Sequence, residues 1–239
     1  WYRYHPLLQE CATSILARED PDTLRHVRGA AALWHLEQGH IEQAVQLALA
    51  CGDPLVLGTV LWPAARISLL QGRARTVEAW LEIVGEKTIL ATPALGMTAA
   101  WTYLSLSDFG AVLRYVDAAV RRMPPDWQQD LSASDIAPHL AVLLATTAPG
   151  ANGQQEATDL ARAALARIPD EDPIRALSTL VAGLNMALLG DPAAITVVAR
   201  AAALAKTTGI PSTEVEARVI LGLLHMVAGD DTAGCEQVE

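Results

Sequence analysis

The chain has 239 residues, 51% of them hydrophobic, and a formal net charge of −10. Because it has no basic run longer than two residues, we do not expect this chain to bind nucleic acid. Its three cysteines are widely spaced and form no CxxC pair, which fits a reducing cytoplasm better than a disulfide framework. No apolar segment is suited to cross a membrane, so we expect a cytoplasmic protein.

Helical periodicity extends along the chain, and glycine-containing turns recur at intervals of roughly 33 to 45 residues. The turns within helical pairs are predicted at Gly39, Gly72, Asp108–Gly110, Gly153, Gly190 and Gly229. The predicted first helices of the pairs cover residues 21–39, 54–72, 93–108, 135–150, 173–191 and 212–230. The predicted second helices cover residues 40–53, 73–85, 109–125, 154–170 and 192–209. Residues 124–152, where proline and glycine accumulate, are left open as either an ordered crossover or a mobile loop.

This pattern predicts an all-α fold, an α-solenoid of antiparallel helical hairpins that resemble tetratricopeptide (TPR) repeats and wind into a right-handed superhelix. A single pair cannot bury its apolar face alone, whereas stacked neighbours can. The best single repeat has small residues on its first helix, Gly39 in the turn and Ala44 on the second helix. About five full pairs and a truncated sixth are expected.

The first ~85 residues carry a more specific signal. The stretch WYRYHPLLQECATSIL, followed by LRHVRGAAALWHLEQGHIEQAVQLALACGD, resembles a junction in the MalT-type bacterial transcriptional regulators, which are large ATP-binding signal-transduction ATPases of the LuxR family. The resemblance implies that residues 1–20 are the C-terminal end of a winged-helix domain. It implies that residues 21–239 are the TPR-like sensor domain, truncated at its C-terminus, so we expect a fragment.

The same resemblance implies a function. In such regulators the helical repeats bind an inducer or a regulatory protein and relay that event to an ATPase domain, which self-associates and activates transcription. ATP or ADP would be bound by the intact protein and DNA by a separate domain, with no cofactor in this fragment. The alternatives are a protein–protein interaction scaffold, or the regulatory tail of a serine/threonine kinase, with no small-molecule ligand.

The resemblance also gives His5 an expected role. In this ATPase class a winged-helix histidine, within a Met-His-Asp motif, contacts the diphosphate of ADP and so senses the nucleotide state. His5 matches that position, but Tyr4 and Pro6 replace its two neighbours. The alternative is that His5 simply leads into the helix that begins at Pro6.

No catalytic motif is recognisable, so we do not expect the fragment to be an enzyme. A phosphate-binding GxxxxGK[ST] loop is missing. His35 and His40 are five positions apart, which predicts different faces of a helix that ends near Gly39, and therefore no metal site. The acidic turn PDEDP at residues 169–173 is interpreted as a solvated linker that starts the next helix.

Candidate ligand or partner contacts lie on the predicted first helices, which line the concave surface of a TPR-like array. Trp62 and Trp101 could stack on a ligand, and Arg66 lies one helical turn after Trp62, where it could pair with a carboxylate. His139 and Asn185 also fall on first helices. The alternative for each aromatic residue is packing between helices, and for each polar residue a satisfied position that is partly buried.

Overall fold

The computed structural model describes residues 5–131, 134–147 and 150–237. These described residues form fourteen α-helices and no β-strand, which confirms the all-α helical-repeat prediction. The helices are α1 (Pro6–Glu19), α2 (Pro21–Glu37), α3 (Ile41–Cys51), α4 (Pro54–Leu70), α5 (Ala74–Val84), α6 (Glu86–Ala91), α7 (Pro93–Ser105), α8 (Phe109–Val120), α9 (Ala137–Thr147), α10 (Gly150–Leu165), α11 (Arg175–Leu188), α12 (Ala194–Thr208), α13 (Pro211–Val227) and α14 (Asp231–Glu236).

Consecutive helices pack as hairpins, most extensively α2 with α3, α7 with α8, α9 with α10, and α11 with α12. The predicted turns at Gly39, Gly72, Gly190 and Gly229 are confirmed, since each glycine has a positive φ between 71° and 83°. This left-handed conformation ends a helix and carries little cost for glycine.

Two predicted turns and one connection differ from expectation. Ser107, with φ of 60°, takes the left-handed position between α7 and α8, while Gly110 lies inside α8. Gly153 also lies inside a helix, α10, so the turn predicted there is wrong. The short helix α6 was not expected; Gly85, with a positive φ of 81°, separates it from α5.

The segment 124–152 contributes helix and core over its described part. Helix α9 occupies its centre, and α10 begins at its end. Trp127, Leu131 and Ile136 are all buried in the main hydrophobic core. Residues 132–133 and 148–149 of this segment lie outside the described residues.

Helix α4 contacts elements far along the chain. Leu70, at the end of α4, packs against the small cluster formed by Ala176 of α11, Ala205 of α12 and Ile210. The main core extends continuously from Ala32 to Val181 and is rich in alanine, which lets helices approach closely. Leu70 therefore joins the end of α4 to residues more than 100 positions further along the chain.

Helix α1 precedes the first hairpin and contacts α2. Asp20 separates the two helices, and its side chain accepts from Thr23 N at 3.0 Å as the N-cap of α2. Residues 1–4 of the expected winged-helix end lie outside the described residues, so that domain assignment stays a prediction. None of the described helices is both long enough and apolar enough to cross a membrane.

Candidate functional site

Five side chains from four parts of the chain come together. Trp62 and Arg66 come from α4, Trp101 from α7, His139 from α9, and Asp172 from the turn before α11. Four of them were predicted from the sequence as ligand or partner contacts, and the structure brings those four together. We call these five residues the inner cluster.

The central member of the inner cluster is the carboxylate of Asp172. Arg66 Nη1 donates to Asp172 Oδ2, and His139 Nε2 lies 3.4 Å from the same oxygen. The other oxygen, Oδ1, accepts from the backbone N of Ile174 at 3.0 Å. The carboxylate therefore fixes the start of α11 while it joins α4 to α9.

The two tryptophans enclose the histidine. The rings of Trp62 and His139 meet edge to face with centroids 5.2 Å apart, and Trp101 meets His139 in the same manner at 6.2 Å. The guanidinium of Arg66 lies over the Trp62 ring at 5.1 Å, as a cation–π contact. Trp62 and Trp101 are buried, so their rings pack in the interior and are not free to stack on a ligand in a groove.

Helix α4 is suited to carry two of these residues because its start is firmly capped. Asp53 Oδ1 accepts from the backbone N of Leu55 at 2.9 Å and of Val56 at 3.1 Å, and Pro54 occupies the first helical position. Trp62 and Arg66 are four residues apart and so lie on one face. The helix continues through Pro63 between them.

Burial and hydrogen bonding set the charges in the inner cluster. Burial is the main cause that lowers the pKa of His139, and Asp172 opposes it only in part. Burial alone would raise the pKa of Asp172, but the hydrogen bond with His139 and the charge of Arg66 outweigh it, so that pKa is lowered. Both directions agree with a neutral His139 that donates Nε2–H to an ionised Asp172.

The inner cluster contains polar atoms with no hydrogen-bond partner among the described residues: Trp62 Nε1, Arg66 Nε, Trp101 Nε1 and His139 Nδ1. A buried polar atom without a partner costs about 1–3 kcal/mol, and such groups are rare in native proteins. Four of the six such atoms found among the described residues belong to the inner cluster, which makes it the strongest candidate for a binding site.

A cavity of about 600 Å³ borders the inner cluster and is lined by Arg66, His139 and Asp172. Its remaining wall includes the side chains of Asp135 and Arg167, so charges of both signs face it. A second cavity of about 350 Å³ lies on the Trp62 side and shares Asp135 with the first. Both volumes are of the order found for sites that hold small molecules.

A second buried cation holds the same turn in place. Arg175, only 5% exposed, donates from Nε to Asp170 Oδ1 at 3.1 Å and from Nη1 to the carbonyl of Leu165. Arg200 reaches the same Asp170 oxygen at 3.3 Å. The acidic turn is therefore only in part the solvated linker expected from the sequence: Asp170 and Glu171 are exposed, whereas the side chain of Asp172 is buried against Arg66. Asp172 was missed for this reason, and no signal in the sequence links it to Arg66.

Two predicted residues lie away from the inner cluster's contacts. Asn185 is buried, and its Nδ2 donates to the carbonyl of Val181 in its own helix at 2.9 Å. His5 is exposed and caps α1, with Nδ1 accepting from Leu7 N at 3.3 Å. That contact agrees with the alternative to nucleotide sensing, in which His5 leads into helix α1.

No protein-family model matches the chain, and neither does any solved structure. The inner cluster is therefore a candidate site on the basis of its geometry.

Proposed function

We propose that the chain is the regulatory helical-repeat module of a larger protein and that the inner cluster is its sensing site. A small polar inducer would bind in the cavity beside Arg66, His139 and Asp172. By the resemblance of its first ~85 residues to MalT-type regulators, the module would relay binding to an ATPase domain that uses ATP or ADP, and to a DNA-binding domain, both outside this fragment. The observation that supports this best is that three residues with a buried, unpartnered polar atom line the two cavities: Arg66 and His139 the first, and Trp62 the second.

Sensing requires that the ligand bind two states of the module with different affinity. The ion pair of Arg66 with Asp172 joins residues 106 positions apart and holds the turn before α11 against α4. A ligand group that pairs with Arg66 would compete with Asp172 and release that turn. Because each hairpin packs on its neighbours, a shift at this one contact would change the curvature of the array.

A second candidate function, an interaction scaffold, is favoured by a separate surface. Helix α13 exposes Val215, Val219 and Leu223, which are 61%, 43% and 57% exposed. Their spacing of four places them on one face. Contiguous exposed apolar side chains mark interaction surfaces in many proteins.

A thermal-shift screen tests the sensing proposal. The fragment would be screened against sugars, amino acids, nucleotides and short peptides. A ligand that binds only the folded state adds about 2.7 kcal/mol of stability at a hundredfold excess over its dissociation constant. A ligand of the proposed site should lose at least about tenfold in affinity in Arg66→Lys or His139→Gln, and should bind Arg121→Gln, a change in an exposed ion pair, as it binds the wild type.

Two results would count against sensing at the inner cluster. A ligand whose affinity is unchanged in both site variants binds elsewhere. If no compound raises the melting temperature, the scaffold becomes the better proposal. It would then be tested by Val219→Glu, which should abolish self-association or partner binding through α13 without changing the melting temperature.

A further inference from the structure

The two histidines at the turn between α2 and α3 meet, contrary to the expectation from their spacing. His35 Nδ1 and His40 Nδ1 are 3.3 Å apart. The positive φ of 73° at Gly39 ends α2 and reverses the chain, and the backbone N of His40 donates to the carbonyl of His35 at 2.8 Å. The prediction that these rings lie on different faces is therefore wrong: α2 does end near Gly39 as expected, but the reversal of the chain there brings the two rings back together.

The separation of the two nitrogens suits a shared metal ion. Zinc–imidazole bonds are about 2.0–2.1 Å long and are usually arranged tetrahedrally, which puts two ligand nitrogens about 3.3–3.4 Å apart. A long hydrogen bond, in which one Nδ1 donates to the other, would have the same separation and is the alternative that the experiment below distinguishes from metal binding. The ring centroids are 5.4 Å apart, so each Nδ1 is on the ring edge that faces the other histidine.

We propose that His35 and His40 form a two-imidazole site for a divalent transition-metal ion of borderline softness, with Zn²⁺ as the representative ion. Imidazole nitrogen suits zinc, copper and nickel and does not suit magnesium or calcium. No third His, Cys, Asp or Glu joins the pair within the described residues, so water or a group from another molecule completes the coordination. The ring of Trp34 lies against both imidazoles, with centroids 4.9 Å and 6.1 Å away.

The site is accessible without any change of fold. His40 is exposed and His35 half-buried. His40 occupies the N-cap position of α3 but makes no capping hydrogen bond through its side chain, so its imidazole is not needed to start that helix. His40 can therefore be replaced while the hairpin is retained.

Zn²⁺ binding to the tag-free chain, measured by isothermal titration calorimetry, tests the proposal. The chain would carry Cys11→Ser and Cys235→Ser, because both cysteines are exposed and thiolates also bind zinc. We expect one zinc per chain, with the affinity lowered at least about tenfold by His35→Gln and by His40→Asn alike. Ni²⁺ should show the same pattern, while Mg²⁺ should give no heat.

The control is His26→Gln, which changes an exposed histidine on the same helix α2. It should bind zinc as tightly as the parent chain, and circular dichroism should show that all three variants keep the helical content of the parent. If the parent takes up no zinc, or if His35→Gln and His40→Asn bind it as His26→Gln does, the proposal is wrong and the two imidazoles only contact each other.

Discussion

Arg66 and Asp172 form a buried ion pair across 106 residues of sequence, with side chains that are 18% and 5% exposed. It joins α4, in the second hairpin, to the turn that starts α11. Ion pairs between hairpins so distant in sequence are not required by a stack in which each repeat touches only its neighbours. The pair is therefore a specific feature of this array, and its loss should be measurable.

Asp172→Asn should lower the free energy of unfolding by about 3 kcal/mol. The substitution keeps the size of the side chain but leaves the charge of Arg66 uncompensated beside a cavity. We expect a value at the low end for a broken buried pair, since Arg66 keeps some contact with solvent. Urea denaturation would measure the change.

Asp117→Asn is the matched control for that experiment. Asp117 pairs with Arg121 on the surface of α8, with side chains 57% and 67% exposed, so its loss should change stability by no more than about 0.5 kcal/mol. Equal effects of the two substitutions would contradict a special role for the Arg66–Asp172 pair.

The stability of the fold should decrease in acid through His139. Because burial lowers the pKa of His139 in the folded state, the unfolded chain binds the proton first as the pH falls. The free energy of unfolding should therefore decrease below about pH 6.5, the ordinary pKa of histidine. His139→Gln should flatten this part of the profile, measured by urea denaturation across that pH range, and a profile that keeps its slope in the variant would contradict the prediction.

Asp172 should add a second loss of stability at lower pH. Its pKa is lowered in the folded state although burial alone would raise it. Its contribution to the free energy of unfolding is therefore complete above about pH 4 and disappears as the pH falls through the lowered folded value. In Asp172→Asn this acid limb should be absent. A profile of the variant that still parallels the wild type below about pH 4 would assign the loss to other carboxylates.

Much of the fold could be predicted because helix ends depend on local chemistry. Gly39 and Gly72 adopt the left-handed conformation, and Asp53 caps α4, as expected of residues next to periodic apolar segments. The turn predicted at Gly153 is wrong because glycine is also tolerated within a helix, and Gly153 lies inside α10.

The site was predictable only in part. Trp62, Arg66, Trp101 and His139 all lie on the first helices of their hairpins. They were predicted as contacts because first helices were expected to line one surface of the array. Asp172 could not be found from the sequence, because a turn rich in acidic residues is typical of a solvent-exposed linker. Its partner, Arg66, is 106 residues away. The contact between His35 and His40 depends on the reversal at Gly39, which a helical projection does not contain.

The cap of α4 should contribute measurably to stability, because this helix supports the inner cluster. Asp53→Ala removes the acceptor of two backbone N–H groups and should cost about 1 kcal/mol in thermal or urea unfolding. His40→Ala alters an N-cap position whose side chain makes no capping hydrogen bond, and it should cost much less. If the two cost the same, the Asp53 hydrogen bonds contribute nothing beyond the loss of any polar side chain.

Gly183 marks the closest approach of α11 to α12, and replacing it should disturb that hairpin. A Cβ at this position would lie 2.7 Å from Val198 Cγ2 and 3.3 Å from the backbone N of Val198. Since Val198 is fully buried, it has little room to move, and Gly183→Ala should destabilise the fold by about 1–3 kcal/mol. Gly153→Ala lies within α10, and no atom of the described residues is within 4 Å of the added carbon. It should instead stabilise the fold by about 0.5–1 kcal/mol because alanine favours helix. Urea denaturation of the two variants and the wild type would measure both changes in the free energy of unfolding. A Gly183→Ala protein as stable as the wild type would mean that α11 and α12 are not held at this distance.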